Sequence, residues 1–137
     1  MELSVHDNFL ISYEVLCERR EIRLHTEFRD VALGAPFEYT DVVFRGVFAY
    51  HFKQDTLTNL LFDIEEVAVS SILEEAQALL DAGRPYGWPR VEGSPSPTLE
   101  AYLSANDVRG FEIASSYGLD GWVLAQSMEF IAVTPSV

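Results

Sequence analysis

Between Asp41 and Lys53 the chain reads as one long strand, and no other stretch constrains the fold as strongly. Phe44, Phe48, Tyr50 and Phe52 share one phase of a two-residue period, while Val43, Val47 and Ala49 fill the other. Apolar side chains on both faces predict a central strand covered on both sides. Gly46 interrupts the run and predicts a bulge that shifts the phase. Such a strand needs neighbours, and the flanking sequence supplies them.

Residues 9–17 alternate, with Phe9, Ile11, Tyr13, Val15 and Cys17 in the apolar phase. Residues 22–28 repeat the pattern, setting Ile22, Leu24 and Phe28 against Arg23, His25 and Glu27. The short link Glu18-Arg19-Arg20-Glu21 predicts a hairpin, although it lacks an Asn-Gly type of turn. Gly34, Ala35 and Pro36 mark a loop. Residues 59–67 read as a further strand, with a helix as the alternative. Arg109 to Tyr117 and Gly121 to Thr134 read as two more, joined across Gly118-Leu119-Asp120-Gly121.

Helical signals fall between these groups. Ser71-Ile72-Leu73-Glu74 has the form of a capping box, Leu73, Ala76, Leu79 and Leu80 follow at helical spacing, and Gly83 stands where a C′ residue belongs. Residues 83–97 hold four of the six prolines and three glycines, the composition of a long loop. Ser96-Pro97 predicts a second short helix through about Ser104, with proline at its first position. The order strands, helices, strands predicts an α+β fold. It is a largely antiparallel sheet of five to six strands, with two helices inserted between the N-terminal and C-terminal strand groups. At 137 residues, 1–137 is expected to form a single domain, long enough to bury roughly two-thirds of its unfolded surface. A hydrophobic fraction of 48% argues against disorder.

Charge narrows the partners. Nine basic against 22 acidic residues leave a net charge of −13. Residues 1–53 are nearly balanced at −3, whereas residues 54–137 carry −10. From Gln54 to Gly83 there are seven acids, including Asp63, Glu65, Glu66, Glu74 and Glu75, and no Lys or Arg. Such a field repels phosphate backbones and anionic lipid, so neither nucleic acid nor a membrane surface is an expected partner. The N-terminus lacks the basic and apolar regions of a secretory signal, and no apolar run approaches the ~18 residues of a membrane span. Cys17 is the only cysteine, which fits a reducing compartment; a cytoplasmic location is expected.

Motifs that carry chemistry are scarce in the sequence. There is no phosphate-cradling glycine loop, no Gly-x-Ser-x-Gly elbow, no paired-histidine zinc helix and no calcium loop. No metal, cofactor or catalytic residue is therefore expected. His6, His25 and His51 lack ligand spacing, although His25 and His51 would approach if their strands neighbour and face the same way. His6 and Asp7, adjacent on an extended chain, point to opposite faces and form no dyad. Cys17, in the apolar phase, is expected to be buried and inert, since a nucleophilic thiol needs exposure.

Two candidate binding features remain. The carboxylates Asp63, Glu65 and Glu66 read as a solvated strand end, a cation site, an acid–base pair or a recognition surface, with Glu74 and Glu75 favouring the positive start of the helix. Tyr86 and Trp88, in a Pro/Gly loop, either anchor a ligand or fold back onto the core.

The segments Val5-His6-Asp7-Asn8-Phe9-Leu10-Ile11, Phe44-Arg45-Gly46-Val47-Phe48-Ala49-Tyr50 and Asn59-Leu60-Leu61-Phe62-Asp63-Ile64-Glu65-Glu66 resemble small bacterial proteins, some of them similar to immunity proteins of polymorphic toxin systems. The resemblance covers the first half of the chain. It implies a cytoplasmic, non-enzymatic inhibitor that sequesters a toxin domain. The leading expectation is thus an acidic, non-enzymatic protein-interaction module, immunity-like, that binds a basic partner protein through Asp63, Glu65, Glu66, Glu74, Glu75, Tyr86 and Trp88. A small-molecule-binding domain using the Tyr86/Trp88 loop is one alternative, and a small enzyme with a His/carboxylate site is another.

Overall fold

The computed structural model describes residues 3–29, 36–91 and 98–134. These residues form six strands: β1 (Phe9–Leu16), β2 (Glu21–Phe28), β3 (Glu38–Lys53), β4 (Asn59–Val67), β5 (Arg109–Tyr117) and β6 (Asp120–Val133). Every pairing is antiparallel, and the order β1-β2-β3-β6-β5-β4 returns to β1, closing the sheet into a barrel. The predicted antiparallel α+β architecture is therefore present, but the sheet has no open ends.

Closure is uneven. β1 meets β4 through only two residue pairs, Phe9 with Leu60 and Leu10 with Asn59. Two backbone bonds extend this seam, the Asp7 amide donating to the Leu61 carbonyl at 3.0 Å and the Leu61 amide to the Asn8 carbonyl at 2.9 Å. Buried amides tie each side to its other neighbours. Asn59 Oδ1 accepts from the Leu119 amide at 2.8 Å, its Nδ2 donates to Asp55, and Asn8 Nδ2 donates to Thr26 Oγ1 at 3.0 Å. Each of these polar groups would cost about 1–3 kcal/mol if buried without a partner.

Inside the barrel, Ile22, Leu24, Val42, Phe44, Leu61, Phe111 and Ile113 are almost wholly buried, with the Phe44 and Phe111 rings edge to face at 5.6 Å. Each such side chain contributes about 1.5–3 kcal/mol through burial. Outside stand Glu14, Arg23, His25, Arg45, Glu65, Glu112 and Glu129. This polarity is the reverse of a lipid-facing barrel, which is apolar outside. A barrel this small is filled by its own side chains.

Between β4 and β5 the described residues form three short helices: α1 (Val69–Glu75), α2 (Gln77–Gly83) and α3 (Leu99–Ala105). They cover one part of the outer sheet. Ile72, Ala76, Leu80 and Leu103 pack there against Trp122, Leu124 and Ala49. α1 passes close over β5, since a Cβ on Gly110 would come within 2.7 Å of Ile72 Cδ1.

Several sequence expectations need correction. Two helices were expected, and among the described residues there are three, because the helix predicted from Ser71 to Gly83 is broken at Ala76 (φ −90°, ψ 7°). It starts earlier, at Val69, and Ser71 does not cap it; the Ser71 hydroxyl donates to the Ala68 carbonyl at 2.8 Å. Gly83 is right-handed and helical, and Gly87 (φ 75°) makes the left-handed turn. α3 is capped by Thr98, whose Oγ1 accepts from the Ala101 amide at 3.0 Å; Ser96 and Pro97 lie outside the described residues.

In β3, one extra residue is inserted between Val47 and Ala49, just after Gly46 (φ 64°). Phe44 and Phe48 share a phase in the sequence yet serve different cores, Phe44 the barrel and Phe48 the helix layer. β1 is shifted likewise between Leu10 and Ser12. Leu10 is buried while Ile11 and Tyr13 are exposed. Cys17 is exposed, not buried, because the chain leaves the strand at Leu16 and turns through Cys17–Arg19. No helix among the described residues is long and apolar enough to cross a membrane.

Candidate functional site

Strand register decides how the acids are presented. Asp63, Glu65 and Val67 pair with Ala114, Glu112 and Gly110, so these residues share the outer face of β4 and β5. Glu65 therefore faces Glu112 directly, and like charges at this position repel. Phe62, 52% exposed, lies beside them at a shallow hollow of about 130 Å³ that Asp63, Glu65 and Glu112 also line. No ion pair with a described cation reaches Asp63, Glu65 or Glu112. Arg109 and Lys53 are taken by Glu66 and Glu75, while Arg19, Arg23 and Arg45 gather around Glu21 on the far side of the barrel. The Arg23 guanidinium holds the Glu21 carboxyl below its ordinary pKa.

The expected cluster is thus divided. Glu66 turns to the opposite face from Glu65, at the barrel mouth, where Arg109 Nη1 lies 3.3 Å from its carboxylate. Glu74 and Glu75 are exposed at the C-terminal end of α1, not at its start, so they do not stabilise the helix dipole. Glu75 lies 3.8 Å from Lys53 Nζ. Glu112 was missed because it lies in a different strand, and only the β4–β5 register brings it opposite Glu65. Among the described residues, no three His, Cys, Asp or Glu side chains are grouped to hold a cation.

The two loop aromatics also part company. Tyr86 is 88% exposed. Trp88 folds back: its amide donates to the Gly83 carbonyl at 3.0 Å, and its ring packs on the helix-layer core. A cavity of about 690 Å³ opens beside Trp88, between Leu73, Leu80 and Leu99, with Arg84 and Arg90 at its wall. Residues 92–97 lie outside the described residues.

His25 and His51 are not brought together. His25 pairs with Asp41, at the other end of β3 from His51, which sits beside Trp122. His25 instead lies between two carboxylates, Asp41 at 2.9 Å and Glu14 at 3.0 Å. With both ring nitrogens engaged, it lacks the open lone pair that a general base uses. His6 and Asp7 do meet, at 3.1 Å, contrary to expectation, because Asp7 adopts a left-handed conformation (φ 63°) that turns the two side chains together.

No family model matches this chain, and no curated protein or solved structure matches it either.

Proposed function

We propose that the chain is a non-enzymatic protein-interaction module that presents the outer face of β4 and β5 to a basic partner protein. One observation carries this reading: Glu65 stands directly opposite Glu112, with Asp63 alongside and no described cation paired to any of the three. An arrangement that repels itself in the free protein is relieved when a cationic surface covers it. Exposed Phe62 adds apolar area beside the charges, as the core of an interface does. Glu74, Glu75 and the exposed Tyr86 extend the surface along the helix layer. The field that attracts a basic protein also disfavours nucleic acid. The resemblance of the first half to immunity proteins suggests a toxin domain as the class of partner.

Affinity capture from native lysate, with wild type and with Asp63→Asn/Glu65→Gln/Glu112→Gln, tests the proposal. A basic protein retained by wild type and lost by the variant is the expected result. Equal retention removes this face from the interaction.

A second reading rests on the cavity beside Trp88, whose size suits a small organic molecule. Metabolites that quench the emission of wild type but not of Trp88→Phe would favour it.

A further inference from the structure

His25 stands on the outer face of β2, between β1 and β3, and its two hydrogen-bonding nitrogens reach in opposite directions. Nδ1 lies 2.9 Å from Asp41 Oδ1 on β3, and Nε2 lies 3.0 Å from Glu14 Oε1 on β1. An ionised carboxylate only accepts hydrogen bonds, so both contacts are satisfied only when both ring nitrogens carry a proton. The imidazolium ties three strands together. Neutral imidazole keeps one N–H, and its other nitrogen then turns a lone pair toward carboxylate oxygen.

We infer that Glu14, His25 and Asp41 form a proton-operated clasp that fastens the half of β1 beyond Leu10 to β2 and β3 and loosens it when His25 loses its proton. Beyond Leu10, β1 has no pairing with β4 and its ladder runs to β2 alone. The other ties of this half are Val15, packed on the barrel core, and Tyr13, whose hydroxyl donates to Asp55 Oδ2 at 2.9 Å and whose ring stands edge-on to Phe52. Glu14 sits in the middle of that half. The Asp41 side chain is 15% exposed and that of Glu14 is 53% exposed. Water replaces a lost bond more easily at the exposed carboxylate, so Asp41 keeps the remaining N–H and Glu14 lets go.

Burial of the ring lowers its pKa, but the hydrogen bonds to Asp41 and Glu14, together with their charges, outweigh it. His25 is held above its ordinary value of 6.5. Folding thus favours the protonated form. Its stabilisation is complete below about pH 6.5 and is lost as pH rises through the higher, folded-state value.

The surrounding charges are fixed across this range. Arg23, on β2, feels Asp41 and Glu14 as well as its bonded partner Glu21, and keeps a residual hold on both carboxylates at high pH. Glu27 on β2 is engaged by Arg29, and Glu129 on β6 by Arg45 from β3. None of these is a histidine, so the switch belongs to His25.

The test follows the His25 ring by NMR between about pH 5.5 and 9, with amide exchange of Tyr13–Leu16 read as protection factors, which removes the intrinsic pH dependence of exchange. His25 is expected to titrate above 6.5, and protection of β1 to fall several-fold over the same interval. In His25→Gln the protection should be flat with pH, and in Glu14→Gln the ring should titrate lower than in wild type. A ring that titrates at or below 6.5 overturns the proposal, as does a fall in protection that persists in His25→Gln. Should His25→Gln fail to fold, Glu14→Gln decides alone: an unchanged His25 titration overturns it.

Discussion

Glu65 on β4 lies directly across the antiparallel pair from Glu112 on β5, with both side chains on the outer face of the barrel and neither joined to a described cation. The nearest equivalent on the other side of the molecule is built in the opposite way. There Glu21 is surrounded by Arg19, Arg23 and Arg45. One face of the barrel neutralises its charge internally, and on the other Glu65 and Glu112 have no described cation beside them.

That contrast predicts a stability effect of unusual sign. Glu112→Gln removes a like-charge cross-strand pair and should stabilise the domain by a few tenths of a kcal/mol, about the size of such pair terms. Glu112→Lys should stabilise it further, and added salt should shrink both gains. Thermal denaturation at two ionic strengths measures this. A loss of stability in both variants would show that Glu112 has a structural role of its own.

The helix caps give a paired prediction. Thr98→Ala removes the acceptor for the Ala101 amide and should cost about 1 kcal/mol. Ser71→Ala should cost markedly less, because Ser71 lies inside the first turn of α1 and caps nothing. The denaturation midpoints of the two variants, compared side by side, check the helix starts.

Cys17 should react with a thiol reagent in the native protein at a rate close to that in denaturant, since the side chain is exposed on a turn. Strong protection in the native state would place it back in the barrel wall.

Gly110 tests the docking of the helix layer. A methyl group there meets Ile72 Cδ1 and crowds the Val67 carbonyl, so the buried Ile72 side chain must turn from its seat or α1 must shift on β5. Gly110→Ala should destabilise by about 1–3 kcal/mol, the usual cost of overpacking. Amide exchange in α1 should rise with it.

How these features stood in the sequence varies with their physical origin. Strand positions followed from the two-residue alternation, because burial of one face imposes that period locally; all six strands lie close to where the alternation puts them. The faces were less legible. Bulges at Ile11 and Phe48 each slip the pattern, so Phe9 and Ile11 do not share the core-facing phase of Val15, and Cys17, in phase with Val15, lies past the end of the strand and is exposed. Ring closure depends on β1 meeting β4, a contact between segments about fifty residues apart that no local pattern announces. The same holds for the site. Asp63 and Glu65 stood out as part of an acidic run, but Glu66 belonged to it only by adjacency. Glu112 required the register of a strand more than forty residues later. Trp88 left both readings open until Gly83, lacking a side chain, was seen to give its ring a seat.

Association kinetics report on the β4–β5 face without passing through stability. The measurement is the association rate of the captured basic partner with wild type, with Asp63→Asn/Glu65→Gln/Glu112→Gln, and with Glu66→Gln, at low and at physiological salt. Charges at an interface act mainly on the rate of encounter. The triple variant is therefore expected to associate several-fold more slowly than wild type, with a flatter dependence on salt. Glu66→Gln, altered on the opposite face where Arg109 already screens the charge, should match wild type. Identical rates and identical salt dependence for wild type and the triple variant would exclude the β4–β5 face from recognition.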